Sequence, residues 1–249
     1  MRVRIGLPPL LSFLCLATAC SSSDDQASAG EVGLAEGARL RIAGDSTAAI
    51  FPETDETHRV GWGAVLQEFF TDALTVVDSA RSGRSSKSFI DEGYWGAITM
   101  QLKAGDFVFI QFGHNDEKAE DPARYTDPAT TFRDYLRIYI DETRDAGANP
   151  VLLTPIERRK FSGTTVSPTH GAYPAAMLEV ADETATPLID MTAKTNAWLE
   201  ALGPEASVEY FADADNTHLS AAGAHEVAGL VVEGIEELEL PLVEALASE

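Results

Sequence analysis

Two polar blocks, far apart in the chain, could together break an ester bond. Ser46, in Gly44-Asp45-Ser46-Thr47, carries a hydroxyl that attacks a carbonyl only when a base removes its proton. Asp215-Asn216-Thr217-His218 offers that base as an imidazole with a carboxylate three residues before it. Paired with Ser46, His218 would take the hydroxyl proton and return it to a leaving alcohol. Asp215 would fix the imidazole tautomer and stabilise its protonated form. Each block also has a plainer reading. A serine at a strand exit serves as the N-cap of a following helix, and Asp-x-x-His could cap a helix starting near Ser220.

The same chemistry needs donors for the developing oxyanion, and two further positions suit it. The backbone N–H of Ser46 is one donor. Gly83, in Ser79-Ala80-Arg81-Ser82-Gly83-Arg84-Ser85, lets main chain approach a substrate without an intruding side chain. Asn115, in Gly113-His114-Asn115-Asp116, brings an uncharged amide donor. A turn glycine and a turn asparagine are the alternatives. His114 would line the same pocket, and Asp45 and Asp116 would brace the loops that carry Ser46 and Asn115.

Arg158, Arg159 and Lys160 form a basic run in an acidic chain, placed to hold a substrate carboxylate or simply solvated on a loop. Trp62 and Tyr94-Trp95 could stack on sugar rings, although Trp62 between Gly61 and Gly63 reads better as packing. His58, His114, His170 and His225 lack ligand-like spacing, so a metal site is not expected. Both cysteines, Cys15 and Cys20, precede the expected domain, which rules out thiol catalysis and a disulfide within it. A formal net charge of −22 disfavours nucleic-acid binding, and an acidic polymer would be held only through a local basic patch.

These residues can meet only if the chain returns them to one edge. Apolar runs at 40–43, 74–77, 107–112, 151–153 and 187–190 read as strands. Stretches at 64–70, 129–146, 173–184, 192–202 and 221–238 read as helices. Alternation of the two predicts a parallel sheet covered on both faces. Ser46, Gly83, Asn115 and the segment after Thr154 each follow a predicted strand, so such a sheet would gather them at its C-terminal edge. The irregular segment 157–171 follows a strand end and is the expected substrate loop.

Residues 1–19 have the charges, apolar run and small residues of an export signal. Ala17-Thr18-Ala19-Cys20 resembles a bacterial lipoprotein box, which implies acylation of Cys20, with ordinary cleavage as the alternative. The expected organisation is a lipoprotein-type signal over 1–19, a flexible tether over 20–36 and one domain over 37–249. The protein is then exported, and its only tie to a membrane is the lipid anchor.

Taken in chain order, Gly-Asp-Ser, a glycine block, Gly-x-Asn-Asp and Asp-x-x-His resemble the SGNH (GDSL-like) hydrolase superfamily. Gly61-Trp62-Gly63, Ala80 to Ser85, Phe112 to Asp116, Thr154-Pro155 with Arg158-Arg159, and Asp215 to Gly223 are most similar to bacterial rhamnogalacturonan acetylesterases. The resemblance implies a three-layer α/β/α flavodoxin-like fold with about five parallel strands and no cofactor. It also implies Ser46 as nucleophile, His218 as base and acid, Asp215 as its orienter, and Ser46, Gly83 and Asn115 as the oxyanion hole. The implied reaction is removal of O-acetyl groups from a plant cell-wall polysaccharide. Lipase, thioesterase or xylan and oligosaccharide acetylesterase activity is the alternative for the same triad.

Overall fold

The computed structural model describes residues 33–248. The export segment, Cys20 and most of the expected tether lie outside the described residues. Five parallel strands form the central sheet: β1 (Arg39–Gly44), β2 (Thr75–Asp78), β3 (Phe107–Gln111), β4 (Asn149–Leu153) and β7 (Leu188–Ile189), in the order β2-β1-β3-β4-β7. Between β4 and β7 lies a small antiparallel hairpin, β5 (Phe161–Ser162) with β6 (Thr165–Val166).

Alternation along the strands divides the core in two. Leu40 and Ile42 of β1, Phe107 and Phe109 of β3, and Val151 and Leu153 of β4 face one cluster. Ala43, Val108, Ile110 and Leu152 face the other. A strand buried on both sides is apolar at consecutive positions, which is why these runs read as continuous. Each fully buried large aliphatic or aromatic side chain contributes roughly 1.5–3 kcal/mol.

Helices α1 (Trp62–Val65), α6 (Met191–Ala206) and α7 (Ala221–Glu237) cover the first face. Helices α2 (Ser86–Asp91), α3 (Tyr94–Thr99), α4 (Thr131–Asp145) and α5 (Tyr173–Thr184) cover the second. In α4 the buried residues Phe132, Leu136, Tyr139, Ile140 and Thr143 form one helical stripe. The result is the expected three-layer α/β/α architecture. Because β1 is flanked by β2 and β3, chain direction across the sheet reverses there, and the C-terminal ends of β1 and β3 open a crevice between their loops.

Several local expectations need correction. The helix expected over 64–70 is one α turn, Trp62–Val65, followed by a 3-10 turn, Leu66–Phe69. Helices α2 and α3 were not anticipated. The segment 157–171 is not wholly irregular, since it carries the β5–β6 hairpin. Leu34, assigned to the tether by its position, packs against the first core cluster. No helix among the described residues is long and apolar enough to cross a membrane.

Candidate active site

The chain leaves β1 through a single turn, not a helix, so Ser46 is not the cap of a following helix. Asp45 organises this turn from within. Its Oδ1 accepts hydrogen bonds from the Thr47 N–H at 2.9 Å and the Thr47 hydroxyl at 2.8 Å. Gln111, at the end of β3, fastens the turn to its neighbours. Its Oε1 accepts from Trp62 Nε1 at 2.8 Å and lies 3.2 Å from Thr47 Oγ1, while its Nε2 donates to the Thr154 carbonyl. Trp62 is therefore packing and bracing, fully buried beneath the turn. Gln111 was not foreseen; its only signal is one amide ending an otherwise apolar strand.

The second block approaches from the far end of the chain. Ser220 caps α7 through Gly223 N–H, so Asp215 and His218 are not needed as the cap and stand in the preceding loop. A bridge between Phe211 and Leu219, and the Ala212 N–H bonded to the His218 carbonyl at 2.9 Å, close this loop. Ala214, just before Asp215, holds a left-handed φ of 55°, a conformation costly to a non-glycine residue and typical of over-determined functional turns.

These two loops bring three side chains into line. His218 Nε2 lies 2.9 Å from Ser46 Oγ, and His218 Nδ1 lies 2.6 Å from Asp215 Oδ2. A carboxylate can only accept, so Nδ1 carries the ring proton and Nε2 is left to accept from the serine hydroxyl. Asp215 Oδ1 also accepts from the Thr217 and His218 N–H groups. Burial works against ionisation of Asp215, yet these bonds together hold its carboxyl below the ordinary carboxylate range. Ser46 is 7% exposed, so its hydroxyl meets a largely desolvated environment. Phe51 stands edge-on to the His218 ring at 6.2 Å, with the Arg59 guanidinium 4.5 Å over its face. This wall was not foreseen, because nothing in the spacing of Phe51 and Arg59 points to His218.

The expected oxyanion donors Gly83 and Asn115 lie in the turns that follow β2 and β3. Gly83 has φ of 80°, which an L side chain rarely adopts, and the nearest atom to an added Cβ would be Arg124 Nη1 at 3.9 Å. Asn115 is buried and donates from Nδ2 to the Arg84 carbonyl at 3.0 Å, which joins the Gly83 turn to the turn after β3. Asp116 braces that second turn, accepting from the N–H and hydroxyl of Ser86 and from the Thr126 hydroxyl. The bracing roles expected of Asp45 and Asp116 thus correspond to observed bonds.

His114 is buried against the His170 ring at 4.4 Å, and neither of its ring nitrogens has a partner among the described residues. Burial, with the neighbouring His170, Arg158 and His218, pushes it well below the ordinary histidine range, which favours the neutral ring. Arg158 and Arg159 do not present free guanidinium groups as expected. Arg158 pairs with Glu117, and Arg159 donates to Ser207, Asn216 and the Pro204 carbonyl. The Arg159 N–H also bonds the Asn216 carbonyl at 2.8 Å, so this residue latches the loop that carries Asp215. Their basic character was legible, but their carboxylate and carbonyl partners lie in remote segments.

Two cavities are lined in part by residues already described. One of about 480 Å³ borders Asp215 and is lined by His58, Arg159, Phe211, Asp213 and Asn216. Another of about 450 Å³ is lined by Glu117, Lys118, Thr169, His170 and Tyr173. A larger one, about 560 Å³ beside Phe69 and His225, contains none of the aligned residues.

Two buried carboxyls beside the site give the fold a pH dependence. Burial pushes Asp78 and Asp116 each up to about 7 from an ordinary 3.8. In the unfolded chain both ionise near the ordinary value, so folding takes up protons above it, and their contribution to stability falls as pH rises toward 7. Asp78 accepts from the Ala80 N–H through Oδ1 at 2.8 Å, and its Oδ2 has no partner among the described residues. Asp78→Asn keeps an accepting oxygen and removes the charge. Its urea midpoint should change less than that of the wild type between about pH 5 and about pH 8. An unchanged pH slope would contradict this assignment.

Comparison with known proteins agrees with the geometry. The family model described as GDSL-like Lipase/Acylhydrolase matches residues 42–225, which span all the aligned side chains. The chain is 42% identical over 221 residues to rhamnogalacturonan acetylesterase RhgT of Bacillus subtilis (strain 168), covering 83% of this chain and 93% of that protein. It is 38% identical over 214 residues to the probable rhamnogalacturonan acetylesterase YesY of the same organism, covering 84% and 98%. The crystal structure of the Bacillus subtilis YxiM protein superposes with a TM-score of 0.75 at 27% identity, covering 82% of this chain and 57% of that one. With Ser46, His218 and Asp215 in line at the strand ends and the match running across all of them, the chain belongs to the GDSL-like lipase/acylhydrolase family of carboxylic ester hydrolases.

Proposed function

We propose that this protein is a serine esterase that removes O-acetyl groups from rhamnogalacturonan through an acetyl-Ser46 intermediate. The observation that carries the proposal is the hydrogen-bonded line Asp215–His218–Ser46. His218 Nε2 takes the Ser46 proton as Oγ attacks the acetyl carbonyl. The Ser46 and Gly83 N–H groups and the Asn115 amide receive the oxyanion. Collapse passes the proton from His218 to the departing sugar hydroxyl, and water, activated by the same imidazole, then releases acetate.

The substrate part rests on likeness to the two relatives named as rhamnogalacturonan acetylesterases. A charge feature supports it. Lys118, which has no carboxylate partner among the described residues, stands beside Asn115 in a chain of net charge −22 and offers a positive group to a substrate carboxylate. Export with Cys20 acylated belongs to the same proposal, supported by residues 1–20 of the sequence.

The test is acetate release from acetylated rhamnogalacturonan, acetylated homogalacturonan, acetylated xylan and p-nitrophenyl acetate. Rhamnogalacturonan should give the highest kcat/KM among the polymers, by about ten-fold or more. Equal or faster release from xylan would replace this substrate with a neutral polysaccharide.

A further inference from the structure

One cation beside the site has no carboxylate partner among the described residues and points at the catalytic machinery itself. Lys118 Nζ donates to Asn115 Oδ1 at 2.8 Å, and Arg124 Nη1 lies 3.5 Å from the same oxygen. Arg124 is itself anchored through Nε to Asp121 at 2.6 Å. On the opposite side of the amide, Asn115 Nδ2 faces the Arg84 carbonyl at 3.0 Å. An amide held between an ammonium group and a carbonyl has one orientation, because the flipped form would set oxygen against oxygen and NH2 against NH3⁺. One Nδ2 hydrogen is used by Arg84, and the second has no acceptor among the described residues.

We propose that Lys118 is a positioning residue for oxyanion stabilisation: its ammonium locks the Asn115 amide, polarises it into a stronger donor, and keeps positive charge beside the Gly83–Asn115 hole. Neither Gly83 nor Asn115 supplies charge, and Arg124 is largely committed to Asp121. Lys118 therefore provides the net positive charge that the two neutral donors lack. Polarisation passes through the bond already drawn. An ammonium group withdrawing density from Oδ1 makes the remaining N–H more acidic, and this favours the tetrahedral intermediate over the bound ester.

The surroundings of Lys118 make its charge dependent on pH. Burial, then Arg124 and Arg158, lower its pKa from the ordinary lysine value, while Asp45 and Glu117 oppose the shift. Its proton is thus lost earlier in the alkaline range than that of a solvated lysine, and the assistance should be lost with it.

The inference rests on the esterase reading above, and neutral p-nitrophenyl acetate tests it without any uronate to recognise. Lys118→Met should lower kcat on this ester by about ten-fold, less than the about 10²–10³ typical of deleting an oxyanion donor outright, with KM little changed. Lys118→Gln, which also lacks charge, should behave alike. Lys118→Arg should restore most of the loss and move the alkaline fall of kcat upward, since a guanidinium does not titrate there. A simple packing role would not shift that limb. Wild-type kcat in Lys118→Met, or a loss confined to KM on acidic polymers, would overturn the inference and leave the esterase reading standing. An inactive wild type on every ester would overturn both.

Discussion

Ser46→Ala should lose about 10⁶-fold in kcat on p-nitrophenyl acetate while its melting temperature stays near that of the wild type. The size follows from how the triad works. Without Oγ there is no acyl acceptor, so the remaining donors can only assist attack by water. The intact fold follows from the wiring. Among the described residues the Ser46 side chain bonds only His218, whereas the turn is held by Asp45, Thr47 and Gln111. Asp215→Asn should cost less, about 10⁴-fold, since nucleophile and base remain but the imidazole loses the partner that fixes its tautomer. Initial rates of the purified variants check both. Ser46→Ala with more than a small fraction of wild-type turnover would remove the serine from the mechanism.

The second large effect falls on a residue that touches no substrate. A Cβ on Gly61 would lie 2.2 Å from the Ala48 carbonyl carbon, and 2.4 Å from the carbonyl oxygens of both Ala48 and Ala49. All three are backbone atoms of the nucleophile turn. That turn cannot retreat, because the Gly61 N–H bonds the Ala49 carbonyl at 3.2 Å and the Trp62 N–H bonds the Thr47 carbonyl at 3.0 Å. Gly61→Ala must therefore break these bonds or displace Ser46 from His218. We expect a loss of about 3 kcal/mol or more in urea unfolding, with activity falling in the fraction that still folds. Gly96→Ala is the control. Gly96 is helical with nothing within 4 Å of an added Cβ, so that variant should match or exceed wild-type stability.

The periodic parts of this fold were readable from the chain, and the reasons are local. Runs such as Phe107-Val108-Phe109-Ile110 can satisfy two apolar faces only inside a covered sheet, and Tyr173–Thr184 occurs as a helix at the bounds its pattern suggests. The aligned triad was readable because Ser46 follows a strand end and because a nucleophilic serine needs the base and carboxylate that Asp215 and His218 supply as a set. Short helices hid. Helix α2 starts with a capping box in which Ser88 occupies the place usually taken by Glu or Gln, and α3 begins after Gly93 with φ of 82°. Both are too short for helical periodicity to register.

Partner-dependent properties were the least legible. Arg159 became a latch because Pro204, Ser207 and Asn216 are near it only after folding. Lys118 drew no notice in the sequence, since a lysine three residues after Asn115 signals nothing until the turn brings Nζ to Oδ1. Gln111 and Phe51 belong to the same class. In each case the side chain's role is set by an atom from another segment, and a pattern of residue types along the chain does not encode it.

The account stands on an acyl group passing through Ser46, and that is measurable directly. Enzyme mixed with p-nitrophenyl acetate, quenched in acid within the first turnovers and digested, should yield one acetylated peptide, the one containing Ser46. Ser46→Ala should yield none. An acetyl group on another residue, or product formed with no acylated peptide at any quench time despite a burst of p-nitrophenol, would contradict it.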